Sequence, residues 1–157
     1  MILSSREITE RLPELVTPAL YDLVNPASLD IRIGMELITE EGRRVNLAEN
    51  VYTLKPGEFV LVETLEVIRV PEDLAVELRL KSSVARQGYN HSLAFWFDPG
   101  WQGVGTMEVQ NINRWRRLDL YEGMPFAQLI FHKLTSVPLE LYHGKYQNAQ
   151  TVEEAKL

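Results

Sequence analysis

The sequence predicts an all-β fold with one short N-terminal helix. Three observations carry this: a helical period confined to the start, a succession of short β-rich runs from Ser28 onward, and turn signals between those runs. With 157 residues, a single domain spanning 1–157 is expected. A chain of this length buries about 68–70% of the surface its unfolded form exposes, so it needs no disulfide or metal to hold it.

The helix comes first. Ser4-Ser5-Arg6-Glu7 reads as a capping box, after which Ile8, Leu12 and Leu15 form an apolar stripe that Pro13 disturbs. Leu29 to Ile33 is a strand closed by Gly34, and Phe59 to Leu65 is one opened by Lys55-Pro56-Gly57. Between Leu74 and Leu80 the leucines and Val76 share one face, Glu77 and Arg79 the other. Asp98-Pro99-Gly100-Trp101-Gln102-Gly103 is a tight reversal leading into Thr106 to Gln110. There Met107 and Val109 pack inward, which turns Thr106, Glu108 and Gln110 toward a cleft or interface. Phe126 to Leu134 follows the turn at Glu122-Gly123-Met124-Pro125, and Leu139 to Leu141 reads as an edge strand. From about Tyr142 the chain is a polar, aromatic tail, expected to order on a ligand or neighbour. Strands in such a series build a sandwich, jelly roll or small barrel, and a βαβ architecture is not supported.

Composition removes several functions. Without cysteine there is no thiolate nucleophile, iron–sulfur cluster or Cys-ligated zinc, and His91, His132 and His143 lack ligand spacing, so no protein-held metal is expected. His132, between Phe131 and Lys133 on a strand, reads as structural. The formal net charge of −6 argues against nucleic acid as a partner. Arg114-Trp115-Arg116-Arg117 accordingly reads as a hairpin turn with solvated charges. Nothing resembles a signal peptide or a membrane span, and a cytoplasmic protein without a membrane partner is expected.

Two places carry candidate chemistry. Lys81-Ser82-Ser83-Val84-Ala85-Arg86 brings two hydroxyls and two cations to a strand end, which suits phosphate oxygens and equally reads as a serine cap among solvated charges. Glu108 is a lone carboxylate among apolar neighbours, where partial burial would raise its pKa toward that of a general base. An exposed strand glutamate is the plain alternative. Asp98 is turn chemistry first and a ligand second.

Four segments in order then resemble the dCTP deaminase branch of the dUTPase-like superfamily: Pro26 to Gly34, Lys81 to Arg86, Asp98 to Gly103 with Glu108 beyond it, and Gly144-Lys145-Tyr146-Gln147. The resemblance implies a distorted jelly roll, a homotrimer with active sites between subunits, and zinc-independent hydrolysis of dCTP to dUTP and ammonia. It also implies magnesium carried on the triphosphate. The missing cysteines agree, since zinc nucleobase deaminases need a P-C-x-x-C pair. By the same resemblance Glu108 is the proton-transferring residue and Ser82 helps hold the attacking water. Lys81, Ser83 and Arg86 contact the triphosphate from a neighbouring subunit, and Asp98 recognises the deoxyribose. Thr106 and Met107 lie on the segment edging the base, while Tyr142 and Lys145 fold over the phosphates. Lys81 and Trp96 stand where arginine is usual, and Ala149 where glutamine is usual. The rival readings are a dUTP diphosphatase, alone or joined to deamination, and a noncatalytic nucleotide-binding homologue. Gly100 stands against the first, because dUTPases typically carry a second aspartate there.

Overall fold

The N-terminal helix, α1 (Ser5–Leu15), forms where the capping signals place it. The Glu7 carboxylate accepts hydrogen bonds from the Ser4 backbone N–H at 2.8 Å and the Ser4 hydroxyl at 2.9 Å, so a helix-start donor is satisfied. Ile8, Leu12 and Leu15 are all fully buried, and Pro13 is carried inside the helix. Arg11 grips both Asp73 oxygens at 2.8 and 2.9 Å, tying the helix to the turn before a later strand.

The computed structural model describes residues 1–91 and 94–156, and the chain beyond α1 is mostly strand. In order come β1 (Val16–Thr17), β2 (Val24–Asn25), β3 (Ser28–Thr39), β4 (Arg44–Asn46), β5 (Tyr52–Leu54), β6 (Phe59–Arg69) and β7 (Leu74–Leu80). The one-turn helix α2 (Ser82–Ala85) then precedes β8 (Tyr89–Asn90), β9 (Trp96–Phe97), β10 (Gln102–Asn111), β11 (Leu118–Leu120) and β12 (Pro125–Lys133). The main sheet runs β8-β10-β6-β3-β12-β7-β9 with antiparallel pairing, and it curls around one apolar core as a distorted jelly roll.

The curl depends on β3, which serves both halves of the sheet. Its first half pairs with β12, Leu29 opposite Leu129, and its second half with β6, Thr39 opposite Val60. The sequence pattern closes this strand at Gly34, whereas the strand continues to Thr39 through a register shift between Ile33 and Leu37. The reason is Glu63. Its Oε1 accepts from the N–H groups of Met35 at 2.9 Å and Glu36 at 3.0 Å, replacing ladder partners across the bulge. A Cβ at position 34 would lie 2.5 Å from Glu63 Cγ, so glycine marks a close approach rather than an end.

Elsewhere alternation translates directly into burial. On β10, Met107 and Val109 are fully buried while Val104, Thr106 and Glu108 occupy the other face. His132 Nε2 lies 3.0 Å from Glu77 Oε2 on the adjacent strand, a structural contact. The Arg114–Arg117 reversal is fixed by Asn113 Oδ1, which accepts from the N–H groups of Trp115 and Arg116 at 3.0 Å each. Leu139 to Leu141 do not form the expected edge strand. Leu141 lies against Gly100, and the next N–H, that of Tyr142, donates to Pro99 O at 2.8 Å, so turn contacts replace a ladder.

The core carries the stability. Phe131, at 0% exposure on β12, is expected on replacement by alanine to cost about 3–5 kcal/mol through lost burial and a residual cavity. A shift of the urea midpoint at unchanged slope measures it.

Candidate active site

The outward face of β10 forms the floor of a cavity of about 500 Å³. Val104, Thr106 and Glu108 project into it from alternate positions, and the register sets Leu61 of β6 opposite Glu108. Phe95, Trp96 and Phe97 supply a second wall, with Trp101 packed on Phe97 at 4.6 Å between ring centroids. The result is a mostly apolar slot with room for a nucleobase.

Glu108 is the carboxylate at its centre. Its side chain is 23% exposed, and Oε2 is buried without a hydrogen-bond partner among the described residues. Burial pushes its pKa up, opposed by backbone N–H groups including that of Ala94, so the charged form is held at a disadvantage until a ligand supplies donors. His91 lies beside it: Nδ1 is 3.3 Å from the Glu108 carbonyl and 4.0 Å from Glu108 Oε2. Burial pushes the imidazole pKa down, which favours the neutral ring.

Asp98 stands at the rim, and the Trp96 indole N–H donates to its Oδ1 at 3.1 Å. Trp96, at the position where the family resemblance leads one to expect arginine, therefore orients the aspartate while half-exposed itself.

The tail from Tyr142 completes the wall. Trp101 Nε1 donates to Tyr146 O at 3.1 Å, Ala149 bridges Gly103, and a Cβ on Gly103 would meet Ala149 N at 2.8 Å. Farther on, Thr151 Oγ1 and the Val152 N–H both donate to Glu63 Oε2, at 2.8 and 3.0 Å, and Val152 is fully buried. Glu153 N–H donates to Thr106 Oγ1 at 3.1 Å, which brings Glu153 and Glu154 to the cavity. Tyr142 lines the cavity, whereas Lys145 turns away and donates to Lys156 O at 2.6 Å.

The structure thus brings together Glu108, Asp98, Thr106 and Tyr142, whereas Met107 does not line the cavity and its side chain is in the core. Lys81, Ser82, Ser83 and Arg86 do not line this cavity. They sit at the end of β7 and on α2, where Ser82, Ser83 and Arg86 are exposed and the Lys81 ammonium pairs with Asp30. Among the described residues the charged lining is Asp98, Glu108, Glu153 and Glu154, with no lysine or arginine. One chain therefore presents an acidic, apolar slot and, apart from it, a cationic hydroxyl cluster.

Residues 2–134 match the family model described as dCTP deaminase-like. The chain belongs to that family. The dCTP deaminase, dUMP-forming, of Methanospirillum hungatei is 33% identical over 84% of this chain and 81% of its own. The dCTP deaminase of Pyrococcus horikoshii is 32% identical over 86% and 85%. The crystal structure of the Agrobacterium tumefaciens 2'-deoxycytidine 5'-triphosphate deaminase superposes with a TM-score of 0.72 at 20% identity, over 85% of this chain. This chain spans 48% of that one. The EIAV dUTPase shares the fold more distantly, with a TM-score of 0.50 at 21% identity over 73% of this chain and 98% of its own. The jelly roll implied by the dCTP deaminase resemblance is thus the fold observed.

His91, the aromatic wall and the end of the tail are site features that the sequence alone does not assign. Alternation from Glu108 finds Thr106, but it also puts Gln110 on that face, which does not line the cavity and donates instead to Gly57 O at 3.2 Å. Nothing comparable marks Val104 or the other strands' contributions. His91 and Glu108 are 17 positions apart and meet through β8–β10 pairing, for which neither carries a local signal.

Proposed function

We propose that this protein deaminates dCTP by zinc-independent hydrolysis, with Glu108 as the proton-transferring group. The observation that supports this best is the partnerless buried oxygen of Glu108 in a slot fit for a pyrimidine. Glu108 takes a proton from water as the water oxygen bonds to the ring carbon bearing the amino group. The displaced electron pair goes to the ring nitrogen, which the protonated Glu108 supplies with that proton. Cleavage of the carbon–amino bond then releases ammonia, the hydroxyl proton passing through Glu108 to the leaving nitrogen. The product retains a carbonyl, and the carboxylate is restored. Asp98 accepts from the deoxyribose hydroxyl, and Thr106 and Met107 edge the base through their backbone.

The cavity's charge supports a site shared between copies. A triphosphate cannot sit unpaired against this lining, where Glu153 meets the Lys156 ammonium at 2.6 Å but no described lysine or arginine faces the cavity. The cations suited to it, Arg86 and, on release from Asp30, Lys81, lie with Ser83 elsewhere on the chain. In a homotrimer a neighbouring copy brings that cluster, with Ser82, to the slot's mouth, and Tyr142 closes over the phosphates, joined by Lys145 once its ammonium leaves the Lys156 carbonyl. Magnesium enters on the nucleotide, its charge offset by phosphate oxygens. Among the described residues no cluster of three or more His, Asp or Glu is built to hold it independently.

Purified protein incubated with magnesium and dCTP is expected to release ammonia together with dUTP, or with diphosphate and dUMP, the Methanospirillum relative being named as dUMP-forming. Turnover of dUTP but not dCTP would establish the diphosphatase reading, and binding of both without turnover a noncatalytic homologue.

A further inference from the structure

Of the three aromatic residues on the slot's second wall, Phe95, Trp96 and Phe97, only Trp96 carries a hydrogen-bond donor. That donor is committed to Asp98, the indole N–H lying 3.1 Å from Oδ1. The backbone at Asp98 is fixed separately, by the Trp101 N–H on Asp98 O at 3.0 Å and the Gly100 N–H on Val70 O at 2.8 Å. The carboxylate needs an anchor of its own. The terminal torsion of an aspartate is broad, so a carboxylate at a cavity rim turns about it unless a donor holds one oxygen. Among the described residues the indole N–H is the one donor on that carboxylate.

The indole is itself supported from outside the cavity. Trp96 pairs with Glu77 across β9 and β7, and Glu77 Oε2 meets His132 Nε2 at 3.0 Å. The His132 ring, which does not line the cavity, packs on the indole at 5.7 Å between centroids. Arg79 donates to Glu77 Oε1 at 2.6 Å and lies over the Phe95 ring, 4.8 Å from its centre. A polar row on β7 and β12 therefore holds the wall, and the wall holds Asp98. Because the indole brings no charge, it fixes the carboxylate without neutralising it, and a charged acceptor takes a stronger hydrogen bond from a ligand hydroxyl.

We propose that Trp96 is the positioning residue for sugar recognition. By holding Asp98 Oδ1 it presents the carboxylate to the deoxyribose hydroxyl in one orientation, and so sets how strongly the site selects a nucleotide that has that hydroxyl. The inference rests on the reading above that Asp98 accepts from this hydroxyl.

The probe is 2',3'-dideoxycytidine 5'-triphosphate, which keeps the base and phosphates and has no hydroxyl for Asp98. In calorimetry with magnesium the wild-type protein is expected to bind dCTP more tightly than this analogue, whatever its turnover. Trp96→Phe keeps an aromatic wall and deletes the donor. Trp96→His returns a donor, since imidazole Nε2 falls on indole Nε1 when the five-membered rings are superposed. Trp96→Phe is expected to lower the preference for dCTP over the analogue by about 3- to 10-fold, through weaker dCTP binding alone, and Trp96→His to recover part of it. A loss in Trp96→Phe that falls equally on both nucleotides would assign the indole to the wall only and overturn the proposal. An unchanged preference, or a histidine variant no more selective than the phenylalanine one, would do the same. Equal binding of the two nucleotides by the wild type would overturn the part given to Asp98, and that of Trp96 with it. Failure to release ammonia from dCTP, with the preference and its loss as expected, would instead overturn deamination and leave the role of Trp96 standing.

Discussion

Glu108→Gln is expected to lower kcat on dCTP by about 10²- to 10⁴-fold, the range set by removing a positioned acid–base group, while dCTP still binds. The amide keeps the volume and one acceptor, so the slot and its contacts remain, and only proton transfer is lost. Equilibrium binding of dCTP beside single-turnover ammonia release separates the two. The same substitution has a second effect of known sign. Burial raises the Glu108 pKa in the folded state, so the fold binds this proton more tightly than the unfolded chain does. The resulting contribution to stability is complete below the unfolded-state value and is lost as pH rises through the higher folded-state value. Glu108→Gln is therefore expected to raise the melting temperature relative to wild type at neutral pH and to leave it nearly unchanged in acid. A variant that melts lower at neutral pH would mean that the backbone N–H groups on the carboxylate outweigh the cost of burying it. In wild type, activity is expected to fall with acidification as the general base becomes protonated, at a pH above the ordinary glutamate range.

Mixing two inactive variants is expected to restore activity. Arg86→Ala removes a triphosphate contact from the cationic cluster and leaves the slot whole, while Glu108→Gln spoils the slot and leaves the cluster whole. In random co-assembly half the slots are sound and half the clusters facing them. Once double purification has removed the unmixed oligomers, every mixed closed trimer keeps one sound slot facing one sound cluster, so activity should return to about one third of wild type. Co-expression with two different tags and assay of the doubly purified oligomers measures it. Each variant assayed alone gives the baseline. Recovery no greater than the mean of those two baselines would place both half-sites on one chain and end the shared-site proposal.

How much of the fold and the site is legible in the sequence depends on the range over which each signal acts. The α1 cap is written in four consecutive residues, and the burial of Ile8, Leu12 and Leu15 follows from one helical stripe. The two faces of β10 follow from strict alternation, which is why Glu108 and Thr106 emerge as site residues and Met107 as core. The continuation of β3 past Gly34 is hidden because its cause, the Glu63 carboxylate, lies 29 positions away in sequence. At Leu139 to Leu141 the apolar character mimics a strand, but the backbone bonds to turn residues instead. The cationic cluster is legible as residue types from Lys81 to Arg86. Its separation from the slot comes from the family resemblance alone, because residue order carries no signal for how far apart the two lie in the fold.

The pairing of β3 with β12 has a kinetic consequence. Leu29 meets Leu129, and Ile2 bridges His132, so the sheet is joined by segments about 100 to 130 residues apart. Closing so long a loop costs entropy before the strand contacts return any, and few helical contacts are available to offset it early. The chain therefore belongs with slow, non-local folders that reach the native state over milliseconds to seconds, and the curled sheet forms late and as a whole.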